Sequence, residues 1–314
     1  MAITTDIDKA VQLLLEGALV ALPTETVYGL GSNALDVSAL AKVFKAKNRP
    51  SFDPLIVHVA SIEQAQEVAE LNDAAIALFK KFSPGPLTLV LPKKEVVPDL
   101  LTSGHPTVAI RIPNHPMTLE VIRKSGLCIA APSANPFGYT SPTTAAHVQE
   151  QLGDKIDAIL DGGPCGVGLE STIVNLCGET RVLRLGGLAL EELESVLGTL
   201  EVQTSSSNPK APGMLSAHYN PGASVRLFSN KQELIDNYKG VDNSKTGVLI
   251  MGEGLEGATV FNLSHSENDV EAASRLFTGL RALRAMGCTE IWTHYLPEKG
   301  LGRAINDRLK RAAN

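Results

Sequence analysis

Four stretches of the chain crowd hydroxyls, carboxylates and cations against glycine or proline, the mixture that holds phosphate groups or a small polar substrate. Pro23-Thr24-Glu25-Thr26-Val27-Tyr28-Gly29-Leu30-Gly31 places two hydroxyls, a carboxylate and a phenol directly after the apolar run from Ala18 to Leu22. In an open α/β sheet, residues just past a strand end face the ligand; the plain alternative is a polar strand-to-helix connection. Lys42-Val43-Phe44-Lys45-Ala46-Lys47-Asn48-Arg49-Pro50 carries four cations in eight positions without an acid. Lys42 and Lys45 suit one solvated helix face. Lys47 and Arg49, expected just past the helix end, either complement its C-terminal dipole or point into a cleft. Asp53-Pro54-Leu55-Ile56-Val57-His58 sets a histidine inside an apolar strand, where such a ring is more often a satisfied core residue than a functional one. Ala130-Ala131-Pro132-Ser133-Ala134-Asn135-Pro136, with Gly138 to Thr144 after it, either lets backbone N–H groups approach a phosphate or forms ordinary Ser/Asn turns. Asp161-Gly162-Gly163 and Gly166-Val167-Gly168-Leu169-Glu170-Ser171-Thr172 again feed glycines into a strand. Neither a G-x-x-x-x-G-K-[ST] loop nor a G-x-G-x-x-G opening a helix is present, so a nucleotide would be held without either common fingerprint.

The elements that must position these residues alternate between short apolar runs and helical stripes, the pattern of a mixed α/β chain. Asp6 to Glu16 reads as a helix stopped by Gly17, Asp36 caps a helix carrying Val37, Leu40, Val43 and Phe44, and Ser61 with Gln64 reads as a capping box. Strands are expected at 54–59, 88–91, 108–112, 127–131, 157–160, 171–176 and 181–185. No uniform helix separates them, so the expected sheet is twisted and mixed, with helices around it. Periodicity lapses between 200 and 223, where Ser205 to Pro209 and Ala211-Pro212-Gly213 read as a linker. It then resumes with strands at 225–228, 248–251, 260–263 and 291–293 and helices at 232–238 and 267–286. The last helix carries Val270, Leu276, Phe277, Leu280 and Leu283 at helical spacing, and Gly287 terminates it. The division is therefore residues 1–200, a linker acting as a lid over 201–223, and a smaller C-terminal open α/β, Rossmann-like domain over 224–314.

The 314 residues include 28 Lys and Arg against 34 Asp and Glu, a net charge of -6. Residues 1–205 hold 15 cations and 23 acids, a balance of -8, whereas residues 206–314 stand at +2. With aromatics at only 4%, this argues against an extended nucleic-acid face. A local cationic pocket is still permitted. Cys128, Cys165, Cys177 and Cys288 form no C-x-x-C pair, which removes the zinc-knuckle and thioredoxin readings and leaves reduced, mostly buried thiols of a cytoplasmic protein. No cationic-then-apolar leader opens the chain, and no apolar run nears the roughly 20 residues of a membrane span. No metal site built from side chains is expected.

Taken together, the clusters are specific in order and spacing. LPTETVYGLG, KNRP followed by DPLIVHVA, SPGPLTLVL, TVAIRIPNHP, IAAPSANPFGYTSPT, LDGG with GLESTIV, and LRLGG resemble the YrdC-type domain of threonylcarbamoyl-AMP synthases across residues 1–200. APGMLSAHYNPG, from Ala211 to Gly222, is similar to the linker of the longer, two-domain form. The resemblance implies synthesis of threonylcarbamoyl-adenylate and pyrophosphate from L-threonine, bicarbonate or CO2, and ATP with Mg2+. It further implies delivery of that intermediate to a transferase complex that modifies the adenosine beside the tRNA anticodon. Matching the K-x-R and S-x-N signatures implies phosphate-handling, catalytic positions at Lys47, Arg49, Ser133 and Asn135. Nucleotide contacts are implied at Arg49, Asp53, Thr107, Ser133, Ser141 and Arg184, and threonine contacts at Thr26, His58, Arg111, Ala131 and Ser171. Arg111 would pair the substrate carboxylate through its fork, and Thr26 or Ser171 would read the hydroxyl. Asp53 stands where relatives often carry Asn, and needs a cation beside it to tolerate a triphosphate. In the linker, Leu215 and Ser216 replace a Lys-Tyr of relatives, with His218 and Tyr219 following. Two other readings are an RNA-binding YrdC-like protein without adenylate synthesis, and a hydrogenase-maturation carbamoyltransferase, which should bring C-x-x-C pairs and an acylphosphatase module.

Overall fold

Most of the described helices start where a side chain satisfies a free N–H group of the first turn. In the computed structural model, which describes residues 2–203, 212, 218–239 and 245–314, Asp6 caps α1 (Ile7–Leu15) and Asp36 caps α2 (Val37–Lys47). Ser61 caps α3 (Ile62–Val68), but the expected capping box is half formed. Ser61 accepts from the Gln64 N–H, whereas Gln64 Oε1 reaches past it to the Ala60 N–H at 2.8 Å. Asn72 caps α4 (Asp73–Phe82), α5 (Asp99–Thr102) is a single turn, and α6 (Pro116–Ser125) begins with proline, whose missing N–H has no partner to lose there. Thr144 caps α7 (Ala145–Leu152), and α8 (Leu190–Leu197) follows.

The first compact unit spans Met1–Phe137, Pro142–Gly166 and Glu170–Leu215. Its strands are β1 (Ala2–Thr4), β2 (Val20–Leu22), β3 (Gly29–Asn33), β4 (Ile56–His58), β5 (Leu87–Pro92), β6 (Thr107–Arg111), β7 (Ile129–Ala130), β8 (Ala158–Leu160), β9 (Thr172–Asn175), β10 (Arg181–Arg184) and β11 (Glu201–Val202). They form one sheet in the order β1-β8-β2-β3-β7-β4-β6-β5-β9-β10-β11. Parallel pairs such as β4 with β6 and β5 with β9 adjoin antiparallel pairs such as β5 with β6 and β9 with β10, the mixed sheet that the irregular helix spacing predicts. β3 was expected as loop. Its sequence, GLGSN, has no β-branched residue, and its pairing with β2 and β7 makes the strand. Gly31 permits the close approach, since a Cβ there would lie 2.9 Å from Leu22 Cδ1.

Alternation along the central strands builds two different faces. Val57, Leu89, Val108, Ile110, Val174 and Val182 join the main core with Leu40, Val43, Leu78 and Phe79 of α2 and α4. Ile56, Val90, Ala109, Ile173 and Leu183 point the other way, as a separate small apolar cluster. That second face carries the candidate site.

The second unit comprises Gly138–Ser141, Val167–Leu169 and Ser216–Asn314. It holds a wholly parallel sheet of β12 (Ser224–Phe228), β13 (Thr246–Ile250), β14 (Val260–Asn262) and β15 (Glu290–His294), ordered β12-β15-β13-β14. α9 (Lys231–Tyr238) packs Leu234, Ile235 and Tyr238 against Phe228, Val248, Ile250 and Trp292. α10 (Asp269–Ala285) buries Ala272, Ala273, Leu276, Phe277, Leu280 and Leu283. Val270 was expected on that stripe but is 55% exposed, because it falls in the first turn and points off the buried side. α11 (Gly302–Ala312), which the sequence reading missed, buries Ala304, Ile305 and Leu309. This is the smaller open α/β domain expected from the sequence. Tyr219 belongs to this unit's core, stacked on Phe277 at 5.5 Å with the Arg308 guanidinium 5.4 Å from its ring centre. Leu215, Ser216 and the linker from 204 to 211 lie outside the described residues.

Candidate functional site

The registers of β4, β6 and β5 place His58 opposite Arg111 and Arg111 opposite Thr88. Residues in register project to one face, so an imidazole, a guanidinium and a hydroxyl stand in a row beside the small apolar cluster. The row continues: Thr88 Oγ1 lies 2.7 Å from Ser171 Oγ, just before β9. Arg184, ending β10, donates Nη2 to Ser171 Oγ and Nε to Ser171 O, both at 3.0 Å. Gly186 makes this possible, since a Cβ there would lie 2.3 Å from Glu170 O and 2.5 Å from the Ser171 carbonyl carbon.

The segment between β2 and β3 closes over one end of that row. Thr24 Oγ1 accepts from the Thr26 and Val27 N–H groups and lies 2.8 Å from Thr26 Oγ1, which fixes the turn. The Tyr28 phenol donates to Gly163 O at 2.8 Å and accepts from the Gly162 N–H; burial drives its pKa up and keeps it protonated. Arg111 donates Nη1 to Thr26 Oγ1 at 2.7 Å and Nε to Gly85 O at 3.2 Å. Its Nη2 lies 2.7 Å from Glu25 Oε2. That contact is an ion pair without an aligned hydrogen bond, so Nη2 and both carboxylate oxygens lack a hydrogen-bond partner.

A second cluster forms where α2 ends. Lys47 is the last residue of the helix, not beyond it as expected, and Asn48 ends the helix in the left-handed conformation. Lys47 is 1% exposed, and its ammonium donates to Ser133 O and Asn135 O, each at 2.5 Å. It therefore ties α2 to the S-x-N turn. Arg49 donates to Asp53 O and Pro54 O and pairs with the Asp53 carboxylate at 2.8 Å, with the Phe137 ring 5.8 Å away. Arg49 is thus a cation beside Asp53. Burial pushes the Lys47 pKa well below the lysine range, with Arg49 adding to the effect and Asp53 opposing it. Burial raises the Asp53 pKa, against the pull of Arg49, Lys47 and Arg184. These three cations surround one carboxylate. His58 is lowered to about 3, by burial first and the Arg111 charge second, so its ring is neutral near pH 7.

The structure thus gathers Lys47, Arg49, Asp53, Ser133, Asn135 and Arg184 on one side and Thr26, His58 and Arg111 on the other, with Ser171 touching Arg184 and Thr88. Ala131 donates its N–H to Ile56 O at 3.0 Å, which places it beside β4. Thr107 opens β6 on the same face as Arg111, roughly 13 Å along the strand at its usual rise. Ser141 is buried and belongs to the second unit.

Residues 12–186 match the Sua5–YciO–YrdC family, described as telomere recombination, and residues 188–314 match the threonylcarbamoyl-AMP synthase C-terminal domain. The threonylcarbamoyl-AMP synthase of Pyrococcus abyssi is 44% identical over 313 residues, 95% of this chain and 91% of that protein. The chain belongs to the threonylcarbamoyl-AMP synthase family. The threonylcarbamoyl-AMP synthase of Bacillus subtilis is 41% identical over 321 residues, 98% of this chain and 92% of its own. The crystal structure of P. abyssi Sua5 complexed with L-threonine matches with a TM-score of 0.91 at 43% identity, covering 98% of this chain and 94% of that one. Membership in the threonylcarbamoyl-AMP synthases makes this chain an enzyme of the transferase type.

Sequence reasoning passed over Thr88 and gave Glu25 no role. Thr88 was hidden in an apolar strand, and only its register with Arg111 marks it. Glu25 stood in the quoted motif, but nothing local shows that Arg111, 86 positions on, would lie beside it. Among the described residues no group of three His, Cys, Asp or Glu side chains could hold a metal ion, and no helix is long and apolar enough to cross a membrane.

Proposed function

We propose that this chain joins L-threonine, bicarbonate or CO2, and Mg–ATP into threonylcarbamoyl-AMP with release of pyrophosphate. The carrying observation is the sheet face that bears Arg111, with an unmet Nη2, and, farther along the same row, Arg184, whose charge acts on Asp53 together with those of Lys47 and Arg49. Arg111, Thr26, His58, Ala131 and Ser171 bind threonine; Arg49, held in place by Asp53, binds ATP with Thr107, Ser133 and Arg184. Adenylate transfer from ATP is mostly positioning and charge neutralisation. Arg49 and Arg184 neutralise charge developing on the phosphates, and Lys47 holds Ser133 and Asn135 where their turn meets the nucleotide. Mg2+ enters with ATP, held by phosphate oxygens and water, because Asp53 is already engaged by Arg49. The labile product passes in the cytoplasm to a complex that transfers the threonylcarbamoyl group to tRNA.

The RNA-binding reading is not favoured. Lys47, Arg49, Arg111 and Arg184 are all buried, and phosphodiester gripping needs exposed cations. The test is pyrophosphate release by the purified full chain. It should require threonine and bicarbonate together, with the adenylate seen by mass spectrometry; release independent of either co-substrate overturns the reading.

A further inference from the structure

The Glu25 side chain is only 12% exposed, and neither carboxylate oxygen has a hydrogen-bond donor. A buried carboxylate in that condition has lone pairs that water would satisfy and the fold does not. Its neighbour Arg111 offsets the charge at 2.7 Å, but Thr26 and Gly85 orient the guanidinium so that the Nη2 hydrogens do not point at Glu25. Each partner is left with an unmet need, Glu25 for donors and Arg111 Nη2 for an acceptor. A zwitterionic α-amino acid meets both from groups on one carbon, an ammonium with three donors and a carboxylate with acceptor oxygens.

We infer that Glu25 receives the substrate's α-ammonium while Arg111 takes its carboxylate, so that this pair selects α-amino acids against acids lacking the amine. The inference rests on the proposed use of L-threonine. His58 Nδ1 and His115 Nδ1 also lack a hydrogen-bond partner, but burial lowers the pKa of both rings and an imidazole carries no negative charge to hold an ammonium; the remaining polar groups nearby are engaged. Asp161 Oδ1 accepts from Gly163 N–H and lies 3.3 Å from the Tyr28 hydroxyl, Tyr28 is bonded to the glycines after Asp161, and Thr24 is spent within its own turn. His58 is neutral beside Arg111. Carbamate formation from the bound ammonium and bicarbonate, RNH3+ + HCO3− → RNHCOO− + H2O + H+, makes the N–C bond as a C–O bond of bicarbonate breaks; one nitrogen proton leaves in the water and a second passes to solvent, so the nitrogen loses its positive charge. The group then loses its attraction to Glu25, and the new carboxylate is repelled from it toward Lys47, Arg49 and Arg184.

The test compares L-threonine with (R)-3-hydroxybutyrate, which is threonine without the amine, by calorimetric titration of the full-length wild type, Glu25→Gln and Glu25→Asp. The wild type should prefer threonine by at least about tenfold. Glu25→Gln should lose about tenfold or more in threonine affinity while (R)-3-hydroxybutyrate binding stays the same or improves, and Glu25→Asp should restore part of the preference. A merely structural role would weaken both ligands together. A Glu25→Gln protein with a wild-type melting curve and undiminished preference overturns the inference, as does parallel weakening of both ligands in either variant. Wild-type protein that neither binds threonine nor forms the adenylate overturns the underlying reading instead.

Discussion

His58 stands directly opposite Arg111 in the parallel ladder of β4 and β6, so a neutral imidazole is fixed beside a permanent cation. Folding lowers its pKa from 6.5 to about 3. The unfolded chain therefore takes up a proton below 6.5 that the folded chain refuses, and stability that is complete above pH 6.5 is lost as pH falls toward 3. Between pH 8 and pH 5 this single group should remove about 2 kcal/mol. Urea unfolding of wild type and His58→Asn at both pH values checks it. The variant should lose less stability over that interval by about this amount, and equal losses would contradict the assignment.

Arg111 makes three kinds of contact that a lysine cannot reproduce together, to Gly85 O, Thr26 Oγ1 and Glu25. Arg111→Lys should weaken threonine binding by about tenfold or more and leave the ATP KM nearly unchanged. Arg111→Ala also strands the Glu25 carboxylate and should destabilise the fold by about 3 kcal/mol. Steady-state kinetics with each substrate varied in turn, plus denaturant titration, separate the two effects.

Asp53 lies among Arg49, Lys47 and Arg184, and Asn in its place removes a negative charge from the proposed triphosphate site. Asp53→Asn should keep the Arg49 bonds to the carbonyls of positions 53 and 54 and lower the ATP KM several-fold. Arg49→Ala should instead cut turnover by at least about a hundredfold. Pyrophosphate release at saturating threonine is the measurement, and a raised ATP KM for Asp53→Asn would show that the carboxylate is needed.

A Cβ on Gly162 would lie 2.6 Å from His115 Cε1 and 2.7 Å from Pro23 Cγ. Gly162→Ala should cost about 1–3 kcal/mol and displace the turn bearing Glu25 and Thr26, raising the threonine KM. Gly166 has nothing within 4 Å of a built Cβ, so Gly166→Ala should stay within about 0.5 kcal/mol in the same denaturation experiment.

Apolar alternation located β5, β6, β9 and β10, because each strand's pattern is local and period two. β3 escaped because GLGSN carries no such pattern and owes its pairing to β2 and β7. α11 escaped because GRAINDRLKRA is dense in charge, although Arg308 is fully buried. At the site, K-x-R and S-x-N were legible as motifs, but that Lys47 bonds the backbone of the S-x-N turn was not. The Glu25–Arg111 pair depends on sheet order, which brings β6 near the segment after β2 through strands β3, β7 and β4. No spacing along the chain encodes that order.

The row across β4, β6, β5, β9 and β10 draws its side chains from His58 through Arg184. During synthesis, ribosomes will have made more than half of the protein before the final arginine of that row emerges. Ligand capture is therefore a late event in the life of the nascent chain, and a product terminated before β10 would carry a core but an unfinished receptor.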